Sequence, residues 1–254
     1  MDAERTVRLE RDGDVVVLTL DRPDRHNAFT DAMDDELFAA WEELYDDRGV
    51  RAIVWRGEGP SFSSGRDTEE LGQRPDGVSD LDYIARGHRY TRLLLTMPAP
   101  IVVALKGWVI GGSLERALLC DLRIAADDAR MMLPEVKHGV IPDSAGVARL
   151  FQMAGHGVAA DLALTGRVMD ADEALRHGVV SRVVAVDELD EVALEIAHTI
   201  AAFPPLAVRM AMQTVRGLAN PPVEDTLTHE MLAQTVVMAG DEFRARREAR
   251  DREA

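Results

Sequence analysis

Short runs of apolar residues alternate with stretches of helical periodicity along about the first 185 residues of the chain. The runs are rich in valine, isoleucine and leucine and are bounded by turn residues, which is typical of buried strands. We predict strands at 15–20, 51–55, 100–105, 122–126, 131–133 and 179–184. Because helices are predicted between these strands, the pattern indicates an α/β fold.

The predicted helices are marked by the spacing of their apolar residues and by capping residues at their ends. Thr30 is expected to cap a helix whose buried face carries Met33, Leu37, Trp41 and Leu44. Residues 106–112 are predicted to form a turn before a short helix. Further helices are predicted at 81–97, at 113–120, from about 145 and 158, from 170 to 177, and over most of the chain after 188.

Composition limits the classes of function. The 254 residues are 46% hydrophobic, which fits one large domain or a domain with an appendage. A net charge of −16 argues against a general nucleic-acid binder. Cys120 is the one cysteine, which favours a reduced, cytoplasmic compartment. No apolar run is long enough to span a membrane, and the charged start of the chain predicts no secretory signal. The polar stretch 72–80 is predicted to be mobile.

Three loops carry residue types suited to chemistry at a carbonyl group. The first, FSSGRD (62–67), follows a predicted strand, so some of its backbone N–H groups are expected to be free. The second, GWVIGGSLE (107–115), places Gly112 at a helix start, where N–H groups lack partners. The third is LPEVKHGVIPDSAG (133–146). Two N–H donors from separate loops can form an oxyanion hole.

Two glutamates accompany these donors. Glu115 lies three residues after Gly112, so a helix places its side chain on the same face, about one turn along. Glu135 belongs to the third loop and is expected to approach the same place. Burial and mutual repulsion raise the pKa of at least one of two close acids, so that one donates a proton while the other accepts.

Ordinary structural roles stay open for these residues on pattern alone. Glu115 also suits a first-turn acid that favours the helix dipole, and Glu135 a loop acid. Asp67 suits a cap for the segment that follows it, and the glycines before Glu115 suit a close-packing turn. No cluster of histidine, cysteine and acidic residues has metal-ligand spacing, and no dinucleotide-binding fingerprint or phosphate-binding loop is present.

Four segments, in this order, resemble the enoyl-CoA hydratase/isomerase (crotonase) family: LTLDRPDRHNAFT, FSSGRD, KGWVIGGSLERALLCDLRIAADDARMMLPEVKHGVIPDSAGVARL and LTGRVMDADEAL with HGVVSRVV. The resemblance covers roughly residues 15–215. It implies a spiral of ββα units at 1–195 and a C-terminal helical segment at 196–254. It also implies a homotrimer, often a dimer of trimers, and an acyl-CoA thioester substrate with no cofactor beyond its CoA.

The family's site residues carry over to matching positions of this chain. The resemblance implies that the amides of Ser64 and Gly112 form the oxyanion hole. It implies that Glu115 and Glu135, twenty positions apart, hold one water: Glu115 activates it, and Glu135 gives a proton to C2. Arg25 and the loop residues Ser64, Gly65, Arg66 and Asp67 are expected to contact the CoA moiety.

Two residues depart from the family pattern. Arg66 stands where a small or apolar residue is usual, so a charged side chain is expected near the substrate entrance. Asp143 adds a third acid, and the PDS sequence around it resembles the carnitinyl-CoA dehydratase branch; Asp143 also suits a cap for the next helix.

The predicted function is enoyl-CoA hydratase, a hydro-lyase. The alternatives are a carnitinyl-CoA dehydratase-like enzyme, an enoyl-CoA isomerase, an acyl-CoA thioester hydrolase, and a non-catalytic acyl-CoA-binding member.

Overall fold

A six-stranded sheet forms the centre of the protein. The structure is a computed structural model that describes residues 5–71, 73 and 77–253. The strands of this sheet, in spatial order, are β1 (Val7–Asp12), β2 (Val15–Leu20), β3 (Ala52–Gly57), β4 (Ile101–Leu105), β6 (Leu122–Ala126) and β9 (Arg182–Val184). β1 and β2 form an antiparallel pair, and every later pairing is parallel. Together with the helices that alternate with these strands, this sheet confirms the predicted α/β fold.

A second, three-stranded sheet consists of β5 (Trp108–Ile110), β7 (Arg130–Met132) and β8 (Met169–Asp170), in that spatial order. β5 is followed by the helix that carries Glu115, and β7 is followed by a 3₁₀ helix that begins with Glu135. This small sheet therefore positions the two candidate acids.

Eight α-helices cover the sheets and extend to the C-terminus of the described chain. Thr30 caps the first through a bond from the amide of Met33, as predicted. The helices are α1 (Asp31–Asp46), α2 (Asp80–Thr96), α3 (Gly112–Leu119), α4 (Gly146–Thr165), α5 (Ala171–Arg176), α6 (Leu189–Ala202), α7 (Pro205–Ala239) and α8 (Asp241–Glu253).

Two large apolar cores hold the layers together, and a smaller one packs Val223 and Leu227 of α7 against Leu95 of α2 and Leu119 of α3. One packs α1 and α3 against the sheet around the fully buried rings of Trp41, Trp55 and Phe62, which meet edge to face. The other packs α6 against the opposite side of the central strands. The domain boundary predicted at residue 195 falls inside α6.

The structure differs from the predicted elements in several places. β1 was not predicted, because its polar side chains conceal an edge strand that is exposed along much of its length. The two-residue strand β8 was not predicted either, and β9 is shorter than the predicted strand at 179–184. The predicted turn at 106–112 contains β5. The helices predicted from about 145 and 158 form one element, α4, with a break at Gly155. In the segment predicted to be mobile, residues 72 and 74–76 lie outside the described residues.

No single helix in the described part of the chain is long and apolar enough to cross a membrane. α6 and α7 meet that test only as a pair, and a bend of 112° separates them.

Candidate active site

Backbone pairing brings the first two candidate loops together. The amide of Ser63 donates to the carbonyl oxygen of Trp108 at 3.0 Å, and the amide of Ile110 donates to that of Ser63 at 3.1 Å. The hydroxyl of Ser113, on α3, lies 3.0 Å from the same Ser63 oxygen. The FSSGRD loop therefore runs beside the start of α3.

Most amides of this loop already have partners. The amide of Ser64 donates to the carbonyl oxygen of His26 at 2.8 Å, and that of Asp67 donates to Phe29 at 2.8 Å. The amide of Gly65 donates to the hydroxyl of Ser63 at 3.1 Å. The prediction that Ser64 supplies an oxyanion-hole N–H is therefore wrong, because its hydrogen is engaged within the protein. Within the described chain, the amide of Arg66 is the one in the loop without a hydrogen-bond acceptor.

Gly112 begins α3 and lines the cavity that contains the two candidate acids. No acceptor for its amide is found among the described residues, as expected for the first residue of a helix. A Cβ atom added to Gly112 would have no other heavy atom within 4 Å. The amide therefore lies at the positive end of the helix dipole without an acceptor among the described residues.

Glu115 is buried among backbone amides. Its side chain is one turn into α3 and leaves only 1% of the residue exposed. Its carboxylate accepts hydrogen bonds from the amides of Asp143 at 3.2 Å, Ser144 at 3.2 Å and Gly146 at 3.0 Å. A Cβ atom at Gly146 would lie 2.4 Å from the Glu115 Cα, so the glycine is what allows this approach.

Glu135 reaches the same cavity from the first turn of a 3₁₀ helix, Glu135–His138. Its Oε1 lies 2.7 Å from where a Cβ of Gly111 would stand, and Gly111 has φ of 60°. A larger residue at 111 would displace the acid. The other oxygen, Oε2, is buried and has no hydrogen-bond partner among the described groups.

Burial is the main influence on the acidity of this pair. It raises the pKa of Glu115 well above its ordinary value, and the nearby Glu135, Glu230 and Asp143 add to the shift. The loop amides act in the opposite direction on Glu115, since they stabilise its ionised form. Burial raises the pKa of Glu135 to about 7. Because Glu135 adds to the rise in the pKa of Glu115, the two acids are harder to ionise together than separately.

The cavity around these acids has a volume of about 180 Å³. Gly112, Glu115, Glu135 and Asp143 line one side, and the C-terminal helices close it with Met238 of α7 and Phe243 of α8. The remaining apolar lining comes from Leu71, Ile84, Val140 and Ile141.

Arg66 contributes to a charged wall of the cavity, and its place near the substrate entrance stays a prediction. Its guanidinium contacts Asp31 at 2.8 Å and Asp34 at 3.3 Å. Asp34 also pairs with Arg116 at 2.7 Å, and Arg116 stacks over the ring of Phe29. These cations are paired, so the wall is polar without being strongly positive.

The other predicted contacts separate into two groups. Asp143 lines the cavity, and burial raises its pKa to about 6. It does not cap α4, whose first residues have no side-chain cap. Asp67 is buried and bound by Arg22 at 2.7 Å, which contradicts a direct CoA contact. Neither Gly65 nor Arg25 is among the cavity-lining residues; Arg25 is exposed and pairs with Glu69 at 2.6 Å, and its contact with CoA stays a prediction.

Sequence reasoning missed the contribution of α7. Glu230 accepts a hydrogen bond from the amide of Ala145 at 2.7 Å, and Gln234 accepts one from the amide of Ile141 at 3.0 Å. The signal available in the sequence was weak: a glutamate and a glutamine four residues apart on one face of a helix that otherwise has many exposed positions. Within the described residues, no group of three or more histidine, cysteine or acidic side chains has the geometry of a metal site.

Comparison with known proteins agrees with this geometry. A family model described as enoyl-CoA hydratase/isomerase matches residues 10–251. A probable enoyl-CoA hydratase from Mycobacterium tuberculosis is 37% identical over 226 residues, which cover 89% of this chain and 86% of that protein. A carnitinyl-CoA dehydratase from Escherichia coli O157:H7 is 33% identical over 227 residues, covering 88% and 85%.

Among solved structures, an enoyl-CoA hydratase/isomerase from Mycobacterium paratuberculosis superposes with a TM-score of 0.90 at 25% identity and covers 98% of this chain and 100% of its own. The family model spans nearly the whole sequence, and the relatives match over most of their length. The chain therefore belongs to the enoyl-CoA hydratase/isomerase family.

Proposed function

We propose that the protein is an enoyl-CoA hydratase, which adds water reversibly across the 2,3 double bond of a 2-enoyl-CoA. The observation that carries the proposal is the placement of Glu115 and Glu135 in one cavity beside the amide of Gly112. Two acids that share a proton supply both the base and the acid that water addition needs. The names of the relatives point to the same chemistry.

The thioester oxygen would be held by two backbone amides. Gly112 supplies one from the start of α3, and we assign the second to Arg66, whose N–H is the unengaged one of its loop. As water adds at C3, negative charge moves onto this oxygen. Fixed amide hydrogens stabilise that charge more in the transition state than in the ground state, and this difference accelerates the reaction.

The hydrogen bonds of the two acids suggest their roles. Glu115 receives three amide hydrogens, which favour its ionised form, so it would act as the base that activates water. Glu135 has an oxygen without a partner and a pKa raised to about 7, so it would carry the proton delivered to C2. This chemistry moves protons only and requires no cofactor beyond the CoA of the substrate.

The reverse reaction on a 3-hydroxyacyl-CoA with a polar end is a second candidate. Asp143 adds a carboxylate to the cavity, and the chain is similar to a carnitinyl-CoA dehydratase. Asp143 would then attract a cationic acyl group. Hydration and dehydration use the same acid pair, so this candidate changes the substrate and leaves the assigned roles of the glutamates unchanged.

We also propose that the protein is a homotrimer or a dimer of trimers. Large apolar side chains are exposed along α7, including Leu218, which is 81% exposed, and Val236, which is 72% exposed. An exposed apolar helix face of this kind marks an interaction surface in a soluble protein. A second copy of the chain is the partner that the family resemblance implies.

Substitution of either glutamate should remove water addition. Glu115→Gln and Glu135→Gln each eliminate a proton-transfer group, and we expect kcat to fall by about 10² to 10⁴-fold. Loss of absorbance of a 2-enoyl-CoA measures the rate, and Glu42→Gln, on an exposed part of α1, is the matched control.

A panel of saturated, 2-enoyl, 3-enoyl and 3-hydroxy acyl-CoAs, followed by mass and by free thiol, separates the alternatives. Conversion of a 3-enoyl-CoA without a mass change indicates isomerisation, and release of thiol indicates hydrolysis. Binding without turnover across the panel, or hydration that survives both glutamate substitutions, contradicts the proposed reaction.

Gly112→Pro tests the amide at the start of α3. Proline is tolerated at the first position of a helix and lacks the N–H, so we expect about a 10² to 10³-fold lower kcat with the helix retained. Gly112→Ala keeps the N–H and places its methyl group in open space, so it should keep most of the activity. Circular dichroism checks folding; equal kcat for the two variants would argue against an oxyanion contact here.

The raised pKa of Glu135 predicts a pH dependence of stability. Between its ordinary pKa of 4.5 and the folded value of about 7, the folded state binds more protons than the unfolded state. Stability from this group is therefore lost as pH rises through that window. In Glu135→Gln, the drop in unfolding free energy from pH 5 to pH 9 should be smaller by about 1–3 kcal/mol.

Denaturant titrations at the two pH values give these free energies, with Glu42→Gln as the control. An unchanged pH dependence in Glu135→Gln would show that the acid is not titrating in this range.

The oligomer is tested by light scattering. The wild-type protein should have a mass of three or six chains, and Leu218→Glu should lower it, because a charge on the apolar face of α7 disfavours burial. Gln213→Glu adds a charge at another exposed position of the same helix and is the control. A wild-type mass of one chain would exclude the proposed assembly.

A further inference from the structure

Four successive backbone amides at the start of α4 are divided between two buried carboxylates. The amides of Asp143, Ser144 and Gly146 point to Glu115. The amide of Ala145 points to Glu230 instead, at 2.7 Å, which is the shortest bond of the four. Glu230, a residue of α7, thus binds one amide of the same run of residues whose other amides bind Glu115, the candidate base.

The conformation of Ala145 explains this division. Its backbone has φ of 63° and ψ of 10°, the left-handed region that residues other than glycine seldom adopt. This conformation turns one amide away from its neighbours. The neighbouring amides at 144 and 146 can then converge on a single oxygen of Glu115, since both donate to its Oε2.

The surroundings of Glu230 favour a role in maintaining this backbone conformation. It is 7% exposed and lies on α7, remote in sequence from the loop. Within the described chain, no cation forms an ion pair with it, and its bond to Ala145 is the hydrogen bond found for its side chain. A buried acid of this kind is costly unless it serves a specific contact.

We propose that Glu230 is a positioning residue for the catalytic site: it holds Ala145 in the left-handed conformation so that the flanking amides stay directed at Glu115. The inference rests on the proposed role of Glu115 in water addition. Glu230 is not among the residues that line the cavity. The proposed positioning effect passes through backbone geometry, and it is separate from the contribution of Glu230 to the raised pKa of Glu115.

Gln234 supports the same function of α7. It lies one helical turn beyond Glu230 and accepts the amide of Ile141, two residues before Asp143. α7 therefore contacts the loop at two points: at Ile141, before the residues that bind Glu115, and at Ala145, among them. The contact of Glu230 with Ala145 is the one that orients the amides bound to Glu115.

Three variants test the proposal. Glu230→Leu removes the acceptor, Glu230→Gln keeps an amide oxygen for the Ala145 N–H without the charge, and Glu224→Leu makes the matched change at an exposed position of the same helix. For Glu230→Leu we expect about a 10 to 100-fold lower kcat for hydration with KM changed by less than about threefold. Glu230→Gln should recover most of the loss, and Glu224→Leu should show none.

Hydrogen–deuterium exchange gives a readout independent of activity. Residues 143–146 should be protected in the wild-type protein, exchange faster by about tenfold or more in Glu230→Leu, and regain protection in Glu230→Gln. Fast exchange of this loop in the wild-type protein would overturn the proposal without any variant. So would an equal loss of kcat in the Leu and Gln variants, or wild-type kcat in Glu230→Leu.

The same measurements separate the two proposals. If the wild-type protein hydrates no 2-enoyl-CoA, the assigned function fails, while the exchange pattern of the three variants still reports whether Glu230 orders the loop. If hydration is present and Glu230→Leu changes neither kcat nor exchange, the positioning role fails and the function stands.

Discussion

The site depends on the hydrogen bonds between the Glu115 carboxylate and the amides at the start of α4. Glu115 is 1% exposed, so its carboxylate loses its hydrogen bonds to water and needs protein donors to replace them. Backbone amides supply these hydrogen bonds while carrying only partial charge, so that no cationic side chain is needed beside the acid. The bonds fix the side chain of Glu115 and join α3 to α4 across the cavity.

The two acids of the site differ in how they are solvated, and this difference organises the chemistry. Glu115 is surrounded by donors, whereas Glu135 has a buried oxygen with no partner in the described chain. Proximity alone would raise the pKa of both groups. A hydrogen bond from the loop, at Ser144, opposes the effect of burial on Glu115, whose pKa is still raised well above its ordinary value.

Much of the fold and part of the site followed from the sequence, for identifiable reasons. The Thr30 cap and the buried strand at 15–20 depend on local patterns that the structure retains. The resemblance placed Glu115 and Glu135 correctly in one cavity. The prediction that Ser64 supplies an oxyanion-hole N–H was wrong because that amide donates to the carbonyl oxygen of His26. His26 lies 38 positions earlier, and this contact has no sequence signature.

Glu230 was missed for a related reason. Its partner, Ala145, is an ordinary residue in an unusual conformation, and nothing in the sequence marks a non-glycine residue with positive φ. The contact joins positions 85 residues apart. Interactions of backbone atoms across such separations are decided by tertiary packing, which spacing and composition do not describe.

The C-terminal helices also line the cavity through Met238 and Phe243, while the two acids and Gly112 belong to earlier elements. The cavity wall therefore combines residues of the last two helices with apolar residues of earlier elements, namely Leu71, Ile84, Val140 and Ile141. Substitution in α8 alters part of this enclosure without replacing either acid. Substitution in α7 is more constrained, because this helix lines the cavity and also binds the loop that carries Ile141 and Ala145.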